Sequence, residues 1–338
     1  MNDRNTPPPA LRQMLTGFFI SQALYVAAEL GIADLLKDGA KSSDELARST
    51  GADARSLYRL LRCLASVGVF EEVEPNHFGL TPLAAYLQTD VPGSLRAYAR
   101  YLGQEWHWRP WGNLLYGVKT GKPAFDYVLG ADMFDYLAQH PEASRIYSEA
   151  MGSRAAEDNA EITATYDFSS MRKVVDVGAG RGRLLVSILK ANPKLEAVLF
   201  DRPAVVEATK PFIETQGLLS HCELVGGDFF EAVPSGGDAY ILQKVLHDWG
   251  DEQAVAILKS CHRAMPPHGR LLICEMVLPP GNEPFVGKIQ DLTMLILHPG
   301  GGERTAAEFQ ALFDAAGFRL SRIMPTKTSI SVIEGVRA

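Results

Sequence analysis

Cysteine is scarce in this sequence: the 338 residues include only four, Cys63, Cys222, Cys261 and Cys274. They are far apart and match no metal-ligand spacing, so the sequence predicts no metal site. Isolated thiols are typical of buried cysteines in a reducing compartment. The N-terminus also lacks the charged segment, apolar run and cleavage site of a secretory signal. We therefore expect a cytoplasmic protein.

An excess of positive charge and a long apolar run are both missing. The formal net charge is −7, so the composition favours neither a nucleic acid nor an anionic membrane as partner. The longest uncharged stretch near the N-terminus, Gln13 to Ala28, contains polar residues and is shorter than the about 20 apolar residues that cross a bilayer. We expect no membrane partner.

The dinucleotide fingerprint G-x-G-x-x-G is absent, although a related pattern is present. Lys173 to Gly182 reads KVVDVGAGRG: a valine-rich run leads into glycines at alternate positions, and a helical run follows. Strand, tight glycine turn and helix start form the opening of a nucleotide-binding βαβ unit. Because the third glycine comes two residues after the second rather than three, the pattern does not predict a nicotinamide dinucleotide.

Acidic residues follow the next two predicted strands. Asp201 ends the short strand Ala197–Phe200, where a carboxylate can accept hydrogen bonds from both hydroxyls of a ribose. Asp228 and Phe229 come after Glu223–Val225 and offer a carboxylate for an adenine amine and a ring for stacking. Together with the glycine turn, these residues predict an adenosine site without a grip on pyrophosphate.

The first third of the chain predicts a small helical domain. Residues 1–10 include three consecutive prolines and are expected to form a flexible leader. From Leu11 to Leu36, apolar residues cover most of the helix surface, which favours burial against a second subunit; a simple core helix is the alternative. Further helices and a hairpin between Val69 and Leu80 complete a winged-helix pattern over residues 11–100.

A winged helix raises the alternative of a DNA-binding regulator. Residues 1–100 hold ten Lys or Arg against eleven Asp or Glu, so this segment lacks the basic charge of a phosphate-binding surface. The candidate recognition helix carries Arg55, Arg59 and Arg62, but nothing else supports groove binding. The sequence therefore favours a dimerisation domain, and a homodimer as the assembly.

The rest of the chain divides into a helical segment and an α/β domain. Residues 101–166 are rich in aromatic side chains, and we expect them to form a helical linker that contributes to the substrate pocket. Residues 167–338 alternate strands and helices, which indicates a doubly wound, mostly parallel Rossmann-like sheet. The predicted strands are Val174–Val177, Ala197–Phe200, Glu223–Val225, Ala239–Leu242 and Arg270–Cys274, with a last pair near Arg319–Met324 and Thr328–Glu334.

A histidine stands where such sheets bind their ligands. The fourth predicted strand leads into LHDWGDE, residues 246–252, at the carboxyl edge of the sheet. His247 is a candidate general base; an incidental surface position is the alternative. Glu275 follows the fifth strand at the same edge, and Glu303 lies in a glycine-rich loop. A carboxylate beside an imidazole fixes its tautomer and stabilises the imidazolium that forms when the ring takes a proton.

Six motifs, in this order, carry a resemblance to a known family. They are DVGAGRG (176–182), FDRP (200–203), GGDFF (226–230), LHDWGDE (246–252), EMVLP (275–279) and GGERT (301–305). From about Leu11 to Val336 the chain resembles the S-adenosylmethionine-dependent O-methyltransferases of small molecules, which include plant caffeate and flavonoid, hydroxyindole and bacterial polyketide enzymes. The resemblance implies a winged-helix dimerisation domain, a Rossmann-like catalytic domain and S-adenosyl-L-methionine as cofactor.

The resemblance also implies roles for individual residues. The implied cofactor-binding residues are Gly178, Gly180, Asp201, Arg202, Gly227, Asp228, Phe229 and Gln243. His247 is the implied base, with Glu275 and Glu303 on either side of the imidazole. The implied acceptor-binding residues are Met151 and Met294, which match methionines that clamp a flat aromatic ring, and also Phe134, Tyr147, Trp111 and Asp248.

The chain departs from the family pattern at two places. Plant members often have a cofactor-contacting lysine four residues before the histidine, but here that position is Gln243, and Lys244 follows it. Pro299-Gly300 stands where an asparagine would precede the proline.

We expect an O-methyltransferase that acts, without a metal, on a phenolic, aromatic or polyketide-like hydroxyl of a small molecule. A C- or N-methyltransferase on the same fold and a winged-helix regulator that senses the cofactor are the alternatives.

Overall fold

The computed structural model describes residues 9–338 and divides them into two compact units. The N-terminal unit contains the chain up to Arg109 together with Leu137–Arg154, and the C-terminal unit contains Pro110–Tyr136 and Ala155–Ala338. Residues 101–166, expected to form a linker, are therefore shared between the two units. Of the expected leader, residues 1–8 lie outside the described residues, and Pro9 and Ala10 begin the first helix.

Helices dominate the first half of the chain and alternate with strands in the second. They are α1 (Pro9–Glu29), α2 (Ile32–Leu35), α3 (Ser43–Thr50), α4 (Ala54–Ser66), α5 (Pro82–Ala85), α6 (Arg96–Gly103), α7 (Glu105–Trp111), α8 (Leu114–Thr120), α9 (Ala124–Leu129), α10 (Met133–Gln139), α11 (Pro141–Thr165), α12 (Arg183–Ala191), α13 (Pro203–Thr215), α14 (Asp251–Ala264), α15 (Gly287–Leu297) and α16 (Ala306–Ala316). Leu246–Asp248 forms a short 3₁₀ turn.

The strands form one sheet in each unit. They are β1 (Lys41–Ser42), β2 (Phe70–Glu74) and β3 (His77–Leu80) in the N-terminal unit, and β4 (Lys173–Val177), β5 (Glu196–Asp201), β6 (Cys222–Gly226), β7 (Ala239–Gln243), β8 (Arg270–Leu278), β9 (Arg304–Thr305), β10 (Phe318–Pro325) and β11 (Ile330–Arg337) in the C-terminal unit. Every strand that the sequence predicted is present, with bounds shifted by a few residues.

The N-terminal unit packs around α4. Leu57, Leu61 and Leu64 lie on one face of this helix and are buried, and Asp53 caps its start by accepting the Ser56 backbone N–H at 2.9 Å. β2 and β3 pair antiparallel as the predicted hairpin, and β1 adds to β3. The structure thus confirms the predicted helices and hairpin of the winged-helix pattern.

The first helix is shorter than the sequence suggested. The apolar pattern predicted a helix through Leu36, but α1 ends at Glu29 because Gly31 takes a left-handed conformation with φ 66°. Large apolar side chains on the N-terminal half of α1 are 48% to 76% exposed: Leu11, Met14, Leu15, Phe18 and Phe19. A contiguous apolar surface of this kind is typical of a protein–protein contact. Within residues 9–338, none of the helices combines the length and the apolar composition of a membrane span.

The sheet of the C-terminal unit has the order β10-β11-β8-β7-β4-β5-β6. The strands from β8 to β6 are parallel, whereas β10 and β11 pair antiparallel with their neighbours. The chain runs from β4 outward to β6 and then returns to β7 on the other side of β4, so the strand order reverses between β4 and β7. Ligands of open α/β sheets bind at the carboxyl ends of the strands at such a reversal.

A buried polar contact ties the end of α11 to the antiparallel edge. The Tyr166 hydroxyl donates to Glu334 Oε2 at 2.8 Å, and Arg322 Nη2 donates to the same oxygen at 3.1 Å. Burial and the neighbouring carboxylate raise the pKa of Tyr166, so this phenol stays a donor. The Tyr166 ring also lies 5.0 Å from that of Phe168.

We expect Tyr166→Phe to lower the free energy of unfolding by about 1–3 kcal/mol, because a buried carboxylate loses a hydrogen bond while the ring packing remains. Urea denaturation followed by circular dichroism measures the change. Tyr127→Phe is the matched control, since Tyr127 is 61% exposed. Equal stability of the two variants would show that the contact contributes nothing.

Candidate active site

The glycine turn after β4 leaves backbone facing open space at the sheet edge. Gly178 has φ 72°, its N–H donates to Phe200 O at 2.9 Å, and a Cβ at this position would lie 2.8 Å from Val245 Cγ2. Gly180 has φ 55°, and no described atom lies within 4 Å of the place where its Cβ would be. Only glycine suits Gly178, and the backbone at Gly180 is free for close approach by a ligand.

Asp201 is fixed at the tip of β5 by this turn. Its Oδ2 accepts the Gly180 N–H at 2.8 Å and its Oδ1 accepts the Arg202 N–H at 2.7 Å. Burial raises the pKa of the Asp201 carboxyl, and the two N–H donors oppose that rise. Each carboxylate oxygen has two lone pairs, so both keep a site for a further donor. A ribose diol supplies two such donors.

The adjacent tip of β6 continues the same edge. The Gly227 N–H donates to Asp201 O at 3.0 Å, and a Cβ on Gly227 would lie 2.7 Å from the Phe200 ring. Asp228 is exposed and Phe229 is half-buried, with its ring 5.9 Å from that of Trp249. The structure thus brings Gly178, Gly180, Asp201, Gly227, Asp228 and Phe229 to neighbouring strand ends. These residues provide the glycine-lined backbone, the carboxylates and the ring that an adenosine needs.

The segment after β7 leaves regular structure at Lys244. Lys244 has φ 52°, an uncommon conformation for a residue other than glycine. The next three backbone N–H groups, of Val245, Leu246 and His247, all donate to Glu275 Oε1 at 3.0, 2.7 and 3.3 Å. Glu275 reaches them because β7 and β8 are parallel and Gln243 pairs with the residue before Glu275. One buried carboxylate therefore satisfies the backbone of this segment.

The glycine-rich loop before Glu303 packs against the same segment. The Gly302 N–H donates to His247 O at 2.9 Å. A Cβ on Gly301 would lie 2.8 Å from both His247 O and His298 Cβ, so only glycine allows this approach. Arg304 follows the loop, is 5% exposed and donates from Nη1 to Leu246 O at 2.9 Å and from Nη2 to Trp249 O at 2.7 Å. The loop and Arg304 thus bind the carbonyl groups of the segment after β7, and Glu275 binds its N–H groups.

The imidazole of His247 lies between two carboxylates. Its Nδ1 is 2.9 Å from Glu303 Oε1, and its Nε2 is 3.4 Å from Asp248 Oδ1. The expectation that Glu275 and Glu303 flank the ring therefore needs correction: the carboxylate near Nε2 is that of Asp248. Glu275 binds backbone N–H groups instead, because its strand runs beside the backbone of the turn rather than beside the ring.

The charges around His247 favour its protonated form. Burial opposes the charge, but Asp248, Glu303 and Glu275 outweigh it and raise the pKa of His247 to about 9. Burial raises the pKa of Glu275 to about 7, with Glu303 adding to the rise and His247 and Arg304 opposing it. An imidazole held this way takes up a proton readily and stabilises it once taken.

Four of the predicted acceptor-binding residues belong to the C-terminal unit. Asp248 is described above, and Met294 is buried on α15, one helical turn before His298. The Phe134 ring lies 5.3 Å from that of His298, and the Arg202 guanidinium lies 5.5 Å from the centre of the Phe134 ring. Trp111 is half-buried at the end of α7. Arg202 therefore contacts a predicted pocket residue, whereas the sequence assigned it to the cofactor.

The other two predicted acceptor-binding residues lie on the part of α11 that belongs to the N-terminal unit. The Tyr147 ring is 5.9 Å from that of Tyr101, and Met151 is half-buried. Their contact with an acceptor stays a prediction.

Gln243 and Lys244 are both engaged by the part of α11 that belongs to the C-terminal unit. Gln243 Nε2 donates to Asn159 Oδ1 at 2.7 Å, and Lys244 Nζ donates to Asp158 Oδ2 at 2.7 Å. The Gln243 amide has a further donor and an acceptor oxygen, so its predicted role toward the cofactor is compatible with this contact.

Sequence reasoning missed three residues that build the site. They are His298, whose Nε2 is 3.3 Å from Asp248 Oδ1, Asp291, whose Oδ1 accepts the Glu303 N–H at 2.9 Å, and Arg304, which donates to the carbonyls of Leu246 and Trp249. Arg304 lies inside the GGERT motif and His298 lies three residues before it. Their positions relative to the motif were the signal available in the sequence. Asp291 is in the middle of a helix and offers none.

We expect Gly301→Ala to reduce the implied methyl transfer by about 100-fold, because the new methyl group must push His247 and the loop apart, and an error of about 1 Å in placing a catalytic group has this effect. Cofactor affinity should stay near that of the wild type. Gly17→Ala is the control, since this glycine lies on α1, outside the residues that build the site, and its Cβ would meet no neighbouring side chain within 4 Å. Full activity of Gly301→Ala would contradict the packing argument.

Comparison with known families and structures agrees with this architecture. The model of the O-methyltransferase domain matches residues 111–319, and the model of the O-methyltransferase dimerisation domain matches residues 12–90. The chain is 49% identical over 324 residues to a phenazine O-methyltransferase of Lysobacter antibioticus, covering 96% of this chain and 94% of the relative. It is 36% identical to an 8-amino-8-demethylriboflavin N,N-dimethyltransferase of Streptomyces davaonensis, covering 93% and 91%.

Solved structures match this chain over most of its length. The crystal structure of LaPhzM superimposes with a TM-score of 0.93 at 48% identity and covers 97% of this chain and 98% of its own. An O-methyltransferase from neocarzinostatin biosynthesis, solved in complex with S-adenosylmethionine and 2-hydroxy-5-methyl naphthoic acid, gives a TM-score of 0.84 at 32% identity and covers 94% and 96%. With these matches to both of its parts, the chain belongs to the O-methyltransferase family and is a methyltransferase with the family's dimerisation domain.

Proposed function

We propose that the protein transfers a methyl group from S-adenosylmethionine to the hydroxyl of a small aromatic molecule, with His247 as general base. The observation that carries this proposal is the buried imidazole at the carboxyl edge of the sheet, with Glu303 2.9 Å from Nδ1. A base is needed because a phenol has a pKa of about 10 and is mostly neutral at physiological pH. The oxygen of a neutral phenol is a weak nucleophile.

The cofactor is S-adenosylmethionine, and the residues at the sheet edge suit it. The open backbone at Gly180, the carboxylate of Asp201 and the ring of Phe229 are the partners of an adenosine, as described above. Bound there, the cofactor supplies a sulfonium methyl that is already activated for transfer. The related enzyme from neocarzinostatin biosynthesis was crystallised with the same cofactor.

The tautomer of His247 follows from its two neighbours. Glu303 holds a proton on Nδ1, so the nitrogen that accepts the proton of the acceptor hydroxyl is Nε2. Nε2 carries a proton in the imidazolium, so the ring must first lose it. Because the pKa of His247 is raised, the fraction of neutral base increases as the pH rises toward about 9. The carboxylates then stabilise the imidazolium that forms during the reaction.

The acceptor is a flat aromatic molecule in this proposal. His298 lies beside Asp248, the Phe134 ring packs against His298, and Met294 lies one helical turn before it, so apolar and aromatic surface is available to an acceptor. A relative from neocarzinostatin biosynthesis was crystallised with a hydroxy naphthoic acid, and the phenazine relative is named for a tricyclic aromatic acceptor. Tyr147, Met151 and Trp111 complete the proposed acceptor-binding set.

N-methylation is the second candidate, because the flavin relative at 36% identity is an N,N-dimethyltransferase. An aromatic amine already carries a lone pair and loses its proton only after the attack. Strict dependence on His247 therefore favours a hydroxyl acceptor. The DNA-binding alternative is not proposed further, since the N-terminal residues match a dimerisation domain.

The proposed assembly is a homodimer in the cytoplasm. The dimerisation-domain match and the exposed apolar residues of α1 support the homodimer. Cys63, Cys222, Cys261 and Cys274 are all free, which suits a reducing compartment.

We expect His247→Gln to bind S-adenosylmethionine with unchanged affinity and to lose about 10²-fold or more in kcat, the usual effect of removing a general base. Transfer of a labelled methyl group to a panel of phenols, hydroxyphenazines, naphthols and the matching amines measures it, with the methylated atom located by NMR. His268→Gln is the control, because this exposed histidine also pairs with a carboxylate, that of Asp238 at 3.1 Å. Unchanged turnover of His247→Gln on a hydroxyl would exclude the base role.

Asp201→Ala tests the cofactor site. We expect the dissociation constant for S-adenosylmethionine to rise by about 10- to 100-fold, because two hydrogen bonds to a carboxylate are lost. Isothermal titration calorimetry measures this without an acceptor. Glu207→Ala, an exposed residue on α13, is the control. An unchanged constant in Asp201→Ala would contradict the ribose-binding role.

A further inference from the structure

A second imidazole contacts the carboxylate that lies beside His247. His298 follows α15, its backbone N–H donates to Met294 O at 2.9 Å, and it is 5% exposed. Its Nε2 is 3.3 Å from Asp248 Oδ1. The same oxygen is 3.4 Å from His247 Nε2. One carboxylate oxygen is therefore shared by two buried imidazole rings.

The surroundings of His298 are mostly uncharged. Phe134 of α10 packs on one side of the ring, and the backbone of Gly301 approaches from the glycine loop. The charges that act on the ring are those of Asp248, His247 and Asp132. Burial lowers the pKa of His298, and the nearby His247 lowers it further against the carboxylates. Burial thus favours the neutral form of the His298 imidazole.

The proton positions follow from the partners. A carboxylate oxygen only accepts, so a neutral His298 has its one N–H on Nε2, toward Asp248 Oδ1. His247 has Glu303 at Nδ1 and Asp248 at Nε2. The neutral form of His247 that acts as base must therefore point a lone pair from Nε2 at Asp248. A full negative charge on that oxygen opposes this form and holds a proton on the ring.

We propose that His298 is a positioning residue: its Nε2–H takes up part of the charge of Asp248 Oδ1 and so decides how firmly Asp248 keeps a proton on His247. At 3.3 and 3.4 Å the two Nε2 atoms interact with this oxygen electrostatically, and the positive end of the His298 N–H dipole offsets part of the negative charge that acts on His247. His298 thereby makes the base available at a lower pH than Asp248 and Glu303 alone would allow. This role of His298 rests on the proposed function of His247 as general base. The effect of His298 on the titration of His247 does not depend on that function.

The test is an NMR titration of the imidazole groups in the whole protein, labelled with ¹⁵N and ¹³C in histidine. In His298→Leu, which has no donor, we expect the pKa of His247 to rise and the fraction of neutral base at pH 7 to fall by about three- to tenfold. kcat at pH 7, measured with saturating acceptor, should fall by the same factor and recover as the pH is raised. His298→Gln, which keeps an amide donor at about the place of Nε2, should restore the titration of the wild type.

Asp248→Asn provides the second arm of a double-mutant cycle. Removing the charge should lower the pKa of His247, and adding His298→Leu to this variant should then change nothing further. An equal shift from His298→Leu with and without the Asp248 carboxylate would overturn the proposal. So would an unchanged His247 titration in a folded His298→Leu protein.

The wild-type protein gives a result that does not depend on any variant. The ¹⁵N shifts of His298 should show a neutral ring with its proton on Nε2 at pH 7, and a proton on Nδ1 or a charged ring would overturn the proposal. The outcomes also separate the two levels of inference. If His247→Gln kept full turnover, the base role would fail, while the titration of His247 in His298→Leu would still decide the role of His298.

Discussion

The site depends on one irregular stretch of backbone, residues 245–251, whose polar groups are bound by buried side chains. Buried N–H and C=O groups need partners, and a segment that leaves a strand loses those of the sheet. Glu275 takes three of the N–H groups, while Arg304 and the Gly302 N–H take the carbonyls of Leu246, His247 and Trp249. Every one of these contacts is to the main chain. The position of the His247 ring is thus fixed through the backbone. The residues that contact the ring, Glu303 and Asp248, set its proton affinity.

The same arrangement concentrates negative charge around the ring. Glu275 is placed for the backbone, yet its carboxyl is close enough to raise the pKa of His247, and burial raises its own pKa to about 7. Glu275 and His247 both hold protons more firmly in the folded protein than in the unfolded chain, where their pKa values are about 4.5 and about 6.5 respectively. The folded state therefore has excess protons from about pH 4.5 to about pH 9. Stability due to these groups is present at the low end of that window and is lost as the pH rises through it.

Hydrophobic periodicity and glycine spacing predicted the sheet, its strand bounds to within a few residues and the tips at Asp201 and Asp228. These features are local, since each depends on the residues within one strand and the turn after it. The role of Glu275 depends instead on the register between two strands, in which Gln243 pairs with Cys274. His298 and Asp291 come from the end and the middle of a helix that the sequence shows only as apolar. Gly31 is a local signal for the end of the first helix. The continuous apolar pattern on both sides of this glycine nevertheless predicted a longer helix.

The contacts that hold the backbone of residues 245–251 are distinct from the residues proposed to bind the acceptor. The contacts that hold residues 245–251 use backbone groups and buried charges, and none of them depends on the acceptor. The Phe134 ring packs against His298, and Met294 lies one helical turn before it; neither residue makes one of the contacts that hold that backbone. Under the proposed role of His298, a change at this residue alters the proton affinity of His247 through Asp248. An amine acceptor needs no base before the attack, so a pocket that accommodates an amine can use the same backbone framework with a weaker imidazole. Oxygen and nitrogen acceptors therefore differ in what they require of the proton on Nε2, and in the proposed role of His298 it is Asp248 that links His298 to this proton.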